Sequence, residues 1–424
     1  MNELYTSMSI VNEILFIIPF PRSCSLPLPI FIFFVKKMSK QKSLILLGAI
    51  SGVKPKSLLL KYNVAMCINL FLARFLEDWL SHSSIHTCFK RNVCTAATFF
   101  YKIKTEQAGV RQDGMTWLLN SPEQSLAFVL ADSGYDVWIA NTRGTRFSQG
   151  HATLDASTPA YWAWSWDELV EFDLPATFDF VYRQTGQKIN YVGHSLGTLI
   201  ALASFAQGKL VDQLKSAALL SPIAYLSHMT TKTGQLAARA FVGEMVTWLG
   251  IAEFNPKGRA VQNFLNALCA NPGVDCYDLM SSFTGKNCCL NESTADTFLK
   301  YEPESSSTKN MVHLAQSVRD GIIKKFDYGN HDMNVRYYGQ GKPPIYNMSN
   351  IPNNLPLFLS YGGQDALSDV RDVELLLDNL KFHDGDKLTV QYVKDYAHAD
   401  FVMGVTAKRI VYDAIVAFFN RQER

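Results

Sequence analysis

The sequence predicts an α/β protein with a mostly parallel sheet, helices on both faces of the sheet and an inserted helical cap. From about residue 106, short apolar strands alternate with amphipathic helices, which is the pattern of a parallel sheet covered on both faces. Between about residues 223 and 350 the alternation lapses into helices with Gly-, Pro- and Asn-rich connections. An insertion of this size is expected to cover the edge of the sheet where active sites lie.

Local signals place the elements of this pattern. Ser165 and Glu168 have the spacing of a capping box, which predicts a helix that buries Leu169, Phe172 and Val181 on its inner side. The predicted strands cover residues 136–140, 188–192, 215–220, 355–360 and 388–393, and further helices cover residues 122–131, 198–205, 370–380 and 407–420.

The domain organisation follows from the same change of texture. We divide the chain into an atypical leader (1–105), the first part of the core (106–223), the cap (224–349) and the last part of the core (350–424). Prolines interrupt the apolar runs of the leader, which stay shorter than the roughly 18–20 residues of a spanning helix. Within the leader, residues 43–53 follow a basic stretch and fit either a secretory signal or an apolar strand. We assign the leader no function.

Composition excludes several classes of protein. The chain has 424 residues, of which 48% are hydrophobic and 18% charged, so it is neither disordered nor a coiled coil. Lys and Arg number 40 against 38 Asp and Glu, and this balance argues against a nucleic-acid partner. Eight cysteines in a chain of this length do not make a disulfide scaffold. The chain has no C-x-x-C pair and no H-E-x-x-H motif, so we expect no metal site.

The motif that carries chemistry is Gly193-His194-Ser195-Leu196-Gly197, which fits G-x-S-x-G. A predicted strand leads into it and an apolar helix follows, as in a nucleophile elbow. Glycine is needed at the flanking positions because the strained turn passes close to its neighbours. The alternative is a plain strand-to-helix turn. We expect Ser195 to be a nucleophile.

A serine nucleophile needs a histidine base that is oriented by a carboxylate. In an elbow fold the chain order is Ser, then Asp or Glu, then His. Asp365 and His398 each follow a predicted strand, so both are expected at the same edge of the sheet as Ser195. Asp395 and Asp400 are rivals for the acid, but they lie too close to His398 in sequence to come from a separate strand. We predict Asp365 as the acid and His398 as the base.

Six stretches of the chain carry a family resemblance, namely residues 113–120, 136–143, 161–175, 193–197, 361–369 and 398–401. Together they resemble the acid lipases, a family that includes gastric and lysosomal acid lipases and plant triacylglycerol lipases; the plant members are the most similar. The resemblance covers about residues 107–421. It implies an α/β-hydrolase fold and hydrolysis of long-chain acyl esters by Ser195, Asp365 and His398. It also implies a cap with amphipathic helices that open on lipid.

The oxyanion hole requires two backbone N–H donors. Leu196 supplies one, because it follows the nucleophile. The family has a strand that ends in Leu-x-His-Gly, and the apolar residue after this motif gives the second donor. In this chain Gly109 and Val110 match, while Ala108 replaces the histidine and Glu106 stands where an apolar residue is expected. By this resemblance Val110 is the second donor.

The sequence and the resemblance together predict a lipase that hydrolyses acylglycerols through an acyl-enzyme and uses no cofactor. Its expected partner is a lipid ester at a membrane or droplet surface, with no obligate protein partner. Two alternatives stay open. One is an esterase for sterol esters or small esters, and the other is an inactive homologue that binds lipid or a partner.

The cysteines and the glycosylation sequons indicate the cellular compartment of the protein. Cys269, Cys276, Cys288 and Cys289 fall in the predicted cap and allow three pairings, among them Cys269–Cys276. Asn291-Glu292-Ser293 and Asn347-Met348-Ser349 are sequons for N-glycosylation. With the resemblance, they predict a glycoprotein of the secretory pathway, either secreted or vacuolar or lysosome-like.

Two apolar groups in or near the cap have two readings each. A stripe at helical spacing fits a buried core face better than a wall for acyl chains. The three tryptophans at positions 162, 164 and 166 fit either a pocket lining or a staple between cap and core. The stripe consists of Leu236, Phe241, Val242, Val246, Trp248 and Leu249.

Overall fold

The computed structural model describes residues 13–16, 32–37, 44–49, 104–107, 114–255, 279–301 and 304–423. The chain divides into two compact units, Met1–Trp79 and Leu80–Arg424. In the first unit, strands β1 (Glu13–Phe16), β2 (Ile32–Lys37) and β3 (Leu44–Ala49) form an antiparallel sheet in that order.

The second unit is built on a six-stranded sheet. Every neighbouring pair in it is parallel, which confirms the predicted α/β class with its parallel sheet. Its strands are β4 (Lys104–Gln107), β5 (Val137–Ala140), β6 (Ile189–His194), β7 (Leu214–Leu220), β10 (Leu357–Gly362) and β11 (Leu388–Val393), and a separate antiparallel pair is formed by β8 (Glu253–Phe254) and β9 (Ser306–Ser307). Their order across the sheet is β11-β10-β7-β6-β4-β5.

Strand β4 lies in the interior of this sheet. It pairs with β5 on one side and with β6 on the other, with Glu106 opposite Ile139 and Val192. The stretch in which Glu106 replaces the expected apolar residue is therefore a strand of the sheet.

The helices fill the connections between the strands. They are α1 (Leu126–Asp132), α2 (Trp166–Glu168, a π-helical turn at Leu169–Asp173, then Leu174–Thr185), α3 (Leu196–Ala206), α4 (Lys232–Arg239), α5 (Val242–Trp248), α6 (Leu279–Thr284), α7 (Glu292–Tyr301), α8 (Thr308–Asp320), α9 (His331–Tyr338), α10 (Val370–Asn379), α11 (Asp400–Met403) and α12 (a π-helical turn at Lys408–Tyr412, then Asp413–Gln422). Short 3₁₀ turns occur at Gly114–Leu118, Pro122–Gln124, Pro159–Trp162 and Met348–Asn350.

Helix α2 begins with the predicted capping box. The N–H of Ser165 donates to Glu168 Oε2 at 2.6 Å, and the Ser165 hydroxyl accepts from the N–H of Asp167 at 3.3 Å. Placing Phe172 on the inner side of this helix was wrong, because its side chain is 59% exposed. The π-helical turn adds a residue to the turn and shifts the phase of the helix.

Helix α3 is buried along its whole length. Every residue from Leu196 to Ala206 is buried, and so is every residue of β6, which precedes it. A helix that is apolar on all sides must be surrounded by other parts of the protein, because its apolar residues would otherwise contact water. The turn between β6 and α3 is thus held by the core of the protein.

Aromatic side chains pack between the cap and the core. Trp162, Trp164 and Trp166 are buried, which supports the reading of these residues as a staple. The ring of Trp166 stacks on His313 of α8 with ring centroids 4.2 Å apart. The Ser307 hydroxyl donates to the carbonyl of Trp162 at 2.6 Å, which adds a second attachment.

The stripe on helices α4 and α5 faces outward, and its prediction as a core face was wrong. Trp248 is 87% exposed and Leu249 is 64% exposed, while Val242 and Val246 are half-buried. The stripe is also divided between two helices, because α4 ends at Arg239, α5 begins at Val242 and Phe241 between them has a φ of 51°. Periodicity alone does not say what an apolar face contacts. We call Leu236, Phe241, Met245, Trp248 and Leu249 the cap patch; all five are exposed.

Length and hydropathy also bear on membrane crossing. Within the described ranges, every helix is either too short or too polar to traverse a lipid bilayer.

Candidate active site

Ser195 lies in a strained turn at the end of β6. Its φ of 54° and ψ of −121° are outside the ordinary regions for a residue with a side chain. A Cβ atom on Gly193 would lie 2.8 Å from the ring of Tyr191 and 3.0 Å from the backbone of Gly197, so this position requires glycine. The N–H of Ser195 donates to the carbonyl of Leu220 on β7 at 3.2 Å. The core therefore holds the turn in the geometry of a nucleophile elbow.

The N–H of Leu196 opens helix α3 directly after Ser195. As the first N–H of a helix it has no intrahelical acceptor, and it lies at the positive end of the helix dipole. The adjacent backbone is fixed, because the Thr198 hydroxyl donates to the carbonyl of Ser195 at 2.6 Å and accepts from the N–H of Ile223 at 2.7 Å. The other predicted donor, Val110, lies outside the described residues.

Asp365 and His398 come together as a buried, hydrogen-bonded pair. The ring Nδ1 of His398 lies 2.9 Å from Oδ2 and 3.0 Å from Oδ1 of Asp365. The N–H groups of Leu367 and Ser368 donate to Asp365 Oδ1 at 2.9 and 2.8 Å. Burial by itself raises the pKa of Asp365, but His398 and these N–H donors outweigh it and leave the pKa below its ordinary value. The carboxylate is thus ionised and orients the ring so that Nδ1 carries a proton.

The rivals of Asp365 occupy other positions. Asp400 is buried, but its oxygens accept the backbone N–H groups of Ala397, Cys288 and Cys289 at 2.8, 3.1 and 3.0 Å. Asp395 is exposed to solvent. Only Asp365, among these three, faces the His398 ring.

His194 links the nucleophile turn to the loop of His398. Its Nε2 lies 2.9 Å from the carbonyl oxygen of His398, and the two rings have centroids 4.7 Å apart. Because a carbonyl only accepts, Nε2 is the protonated nitrogen. Burial lowers the pKa of His194 to about 3, so the ring is neutral. The sequence placed His194 beside the turn, but the bond to His398 had no signal in the sequence.

The second ring nitrogen of His398 is available for proton transfer. Its Nε2 atom is buried and has no hydrogen-bond partner in the described part of the chain, so the Ser195 hydroxyl does not donate to it in this conformation. Catalytic hydrogen bonds are often long without substrate and shorten when substrate binds. Because Nδ1 carries a proton, Nε2 is the ring nitrogen of His398 that can accept another one.

The predicted cap contributes a segment that the sequence reasoning missed. Residues of Thr284–Leu290 hydrogen-bond to the loops of both Asp365 and His398. Within this segment Cys288 and Cys289 form a disulfide with each other. Cys269 and Cys276, for which a pairing was predicted, lie outside the described residues.

Replacing His194 with Phe is expected to lower kcat/KM by about tenfold, because the carbonyl of His398 loses the donor that holds it and a displaced base takes the Ser195 proton less efficiently. His194→Gln keeps an N–H donor and should recover part of this loss. Ester hydrolysis by the purified variants measures the effect. A Phe variant with the wild-type rate would show that the contact does not hold His398 in place.

Comparisons with known proteins agree with this geometry. Residues 117–402 match the family model described as the alpha/beta hydrolase fold, and this span contains Ser195, Asp365 and His398. The chain is similar to "Triacylglycerol lipase 2" of Arabidopsis thaliana, with 60% identity over 74% of this chain and 76% of that protein. It is 41% identical to "Triacylglycerol lipase 1" of the same organism over 74% of this chain and 78% of that protein.

Animal proteins show the same similarity at lower identity. "Lysosomal acid lipase/cholesteryl ester hydrolase" of Homo sapiens is 33% identical over 75% of this chain and 79% of that protein. These matches confirm the family resemblance that the sequence motifs indicated.

Proposed function

Since this chain is an ester hydrolase of the α/β-hydrolase family, in the group of the triacylglycerol and acid lipases, we propose that it hydrolyses acylglycerol esters through Ser195, His398 and Asp365. The observation that carries the proposal is the buried Asp365–His398 pair beside the strained turn of Ser195. A serine in such a turn, with an oriented imidazole next to it, is equipped for acyl transfer.

The reaction begins when His398 Nε2 takes the proton of the Ser195 hydroxyl. The Ser195 oxygen attacks the ester carbonyl, and Asp365 stabilises the positive charge that forms on the imidazole. The N–H groups of Leu196 and Val110 stabilise the negative oxygen of the tetrahedral intermediate.

The first tetrahedral intermediate collapses when His398 returns the proton to the leaving alcohol, which leaves an acyl-enzyme on Ser195. Water then gives a proton to His398 and attacks the acyl carbonyl. The second tetrahedral intermediate releases a fatty acid, and the proton returns to Ser195.

The partner we propose is a lipid surface that presents the ester. The cap patch supports this, because its exposed side chains offer the insoluble substrate an apolar contact. Two of its members, Trp248 and Leu249, are the most exposed of the five.

We also propose that the protein follows the secretory route, to the outside or to a vacuole or lysosome-like compartment. The name of the lysosomal relative supports this route. Asn291 and Asn347 of the two sequons are exposed, so an oligosaccharide would meet no packed neighbour. A disulfide such as Cys288–Cys289 persists in oxidising compartments.

The test combines covalent labelling with substrate preference. The purified protein should react with a fluorophosphonate probe and hydrolyse long-chain triacylglycerol emulsions faster than short-chain soluble esters. Ser195→Ala should abolish both signals. A protein that labels but cleaves only short esters is an esterase, and a folded protein that never labels is an inactive homologue; either result overturns the proposal.

A further inference from the structure

We infer that the segment Thr284–Leu290 positions the acid and the base of the active site, with Asn287 as its central positioning residue. This inference rests on the proposed function, because it assigns a role relative to Asp365 and His398. The segment joins α6 to α7 and belongs to the insertion between β7 and β10. It hydrogen-bonds to the loop that carries Asp365 and to the loop that carries His398.

One carbonyl of the segment binds both loops at once. The oxygen of Thr284 accepts the N–H of His398 at 3.1 Å and the N–H of Ala366 at 3.3 Å. Ala366 directly follows Asp365 in the chain. A single acceptor thus fixes the spacing between the backbones that carry the acid and the base.

The side chain of Asn287 connects Thr284 and Gly285 to the base loop. Its Oδ1 accepts the N–H of Ala399, the residue after His398, at 3.2 Å. Its Nδ2 donates to the hydroxyl of Thr284 at 2.8 Å and to the carbonyl of Gly285 at 3.1 Å. Because an amide is both acceptor and donor, it alone among small side chains makes this set of bonds.

Close packing on the acid side supports the same conclusion. Gly285 pairs with Asp365 in an isolated antiparallel bridge and has a φ of +91°. A side chain at this position would overlap the carbonyl oxygen of Gln364, and it would strain the backbone as well. The segment therefore approaches the acid loop as closely as a backbone can.

Asp400 closes the connection on the base side. It accepts the N–H groups of Cys288 and Cys289 from the segment and that of Ala397 from its own loop. The carbonyl of Cys289 in turn accepts the N–H of Val405 at 2.8 Å. A buried carboxylate that satisfies three N–H donors makes these bonds strong, since charge-assisted hydrogen bonds exceed neutral ones.

These contacts have a consequence for cap movement. Any opening of the cap must leave Thr284–Leu290 in place, because displacing it would remove acceptors from the N–H groups of His398, Ala366 and Ala399. The cap patch on α4 and α5 belongs to a different stretch of the insertion.

The experiment measures kcat and KM of Asn287→Ala with a soluble short-chain ester, so that lipid binding does not enter. We expect kcat to fall by about 10- to 100-fold, because small displacements of catalytic groups have effects of this size. KM should stay within about twofold, because the Asn287 side chain bonds to Thr284, Gly285 and Ala399 and is expected to act on the position of the base. Glu292→Ala is the control, as its exposed side chain lies just beyond the segment.

A second variant separates positioning from folding. Asn287→Asp keeps the acceptor for Ala399 but loses its donors while ionised, and it regains one donor when protonated. Its rate relative to wild type should therefore rise as the pH falls through about 4, the ordinary range of an aspartic acid. Circular dichroism at each pH reports the folded fraction, and this comparison also serves if Asn287→Ala fails to fold.

The outcomes distinguish the two proposals. An active wild type with an unchanged kcat in Asn287→Ala, or a folded Asn287→Asp without acid rescue, overturns the positioning role alone. A wild type that neither labels nor hydrolyses esters overturns the proposed function and the positioning role with it.

Discussion

Asp365→Asn is expected to lower kcat about ten-thousandfold while the protein stays folded. The amide oxygen of Asn can still accept from Leu367 and Ser368, so its nitrogen must face His398 Nδ1. That contact favours the tautomer with the proton on Nε2, which cannot take a proton from Ser195. Steady-state hydrolysis of a soluble ester and the rate of fluorophosphonate labelling both measure the loss.

Asp395→Asn provides the matched control for that experiment. It makes the same chemical change at an exposed position three residues before His398. Its rates should equal those of wild type. If the Asp395 variant lost activity and the Asp365 variant kept it, the acid would be misassigned.

The second large effect is a loss of stability in acid that comes from two buried histidines. Burial lowers the pKa of His194 and of His313 to about 3, while an unfolded histidine has a pKa near 6.5. Below pH 6.5 the unfolded chain therefore binds protons that the folded chain does not. Stability falls as the pH drops from 6.5 towards 3, and each ring contributes about 3 kcal/mol of this loss between pH 7 and 4.

His313→Gln tests this expectation away from the active site. The glutamine nitrogen can keep the bond that His313 Nε2 makes to the carbonyl of Lys324 at 2.8 Å, but it loses the stacking on Trp166. We expect this variant to have a lower free energy of unfolding at pH 7 than the wild-type protein. The loss of unfolding free energy between pH 7 and 4 should be smaller than in the wild-type protein by about 3 kcal/mol. Urea unfolding at several pH values measures both quantities.

The control for the acid effect is His331→Gln, the same change at an exposed position. The unfolding free energy of this variant should depend on pH in the same way as that of the wild-type protein. An unchanged pH dependence in His313→Gln would show that the pKa of the ring is the same in the folded and the unfolded chain, contrary to the expected direction.

Strand ends were what the sequence allowed us to predict well. The strand at 388–393 has the predicted bounds, and the neighbouring strands differ by one or two residues. Asp365 and His398 were each predicted to follow a strand, and the carboxyl ends of parallel strands lie at one edge of the sheet. This was enough to predict that the two side chains lie close together, as they do in the structure. The assignment of catalytic roles to them remains a prediction.

Other features depend on contacts that local pattern does not encode. Phe172 was misplaced because a π-helical turn cannot be recognised from apolar spacing. The cap patch was misread because the spacing of an apolar face is the same in a core and on a surface. Asn287 went unnoticed because Ala399, its partner in the base loop, lies 112 residues away in the chain, where no periodicity reaches.

The place of β4 inside the sheet has a consequence for shortened forms of the chain. A polypeptide that starts beyond Gln107 would have no strand between β5 and β6, and those two strands would lose all their hydrogen bonds on the facing edges. Proteolysis or an alternative start downstream of this point should therefore give insoluble material. Cleavage between the first unit and Lys104 would leave all six strands in the remaining polypeptide.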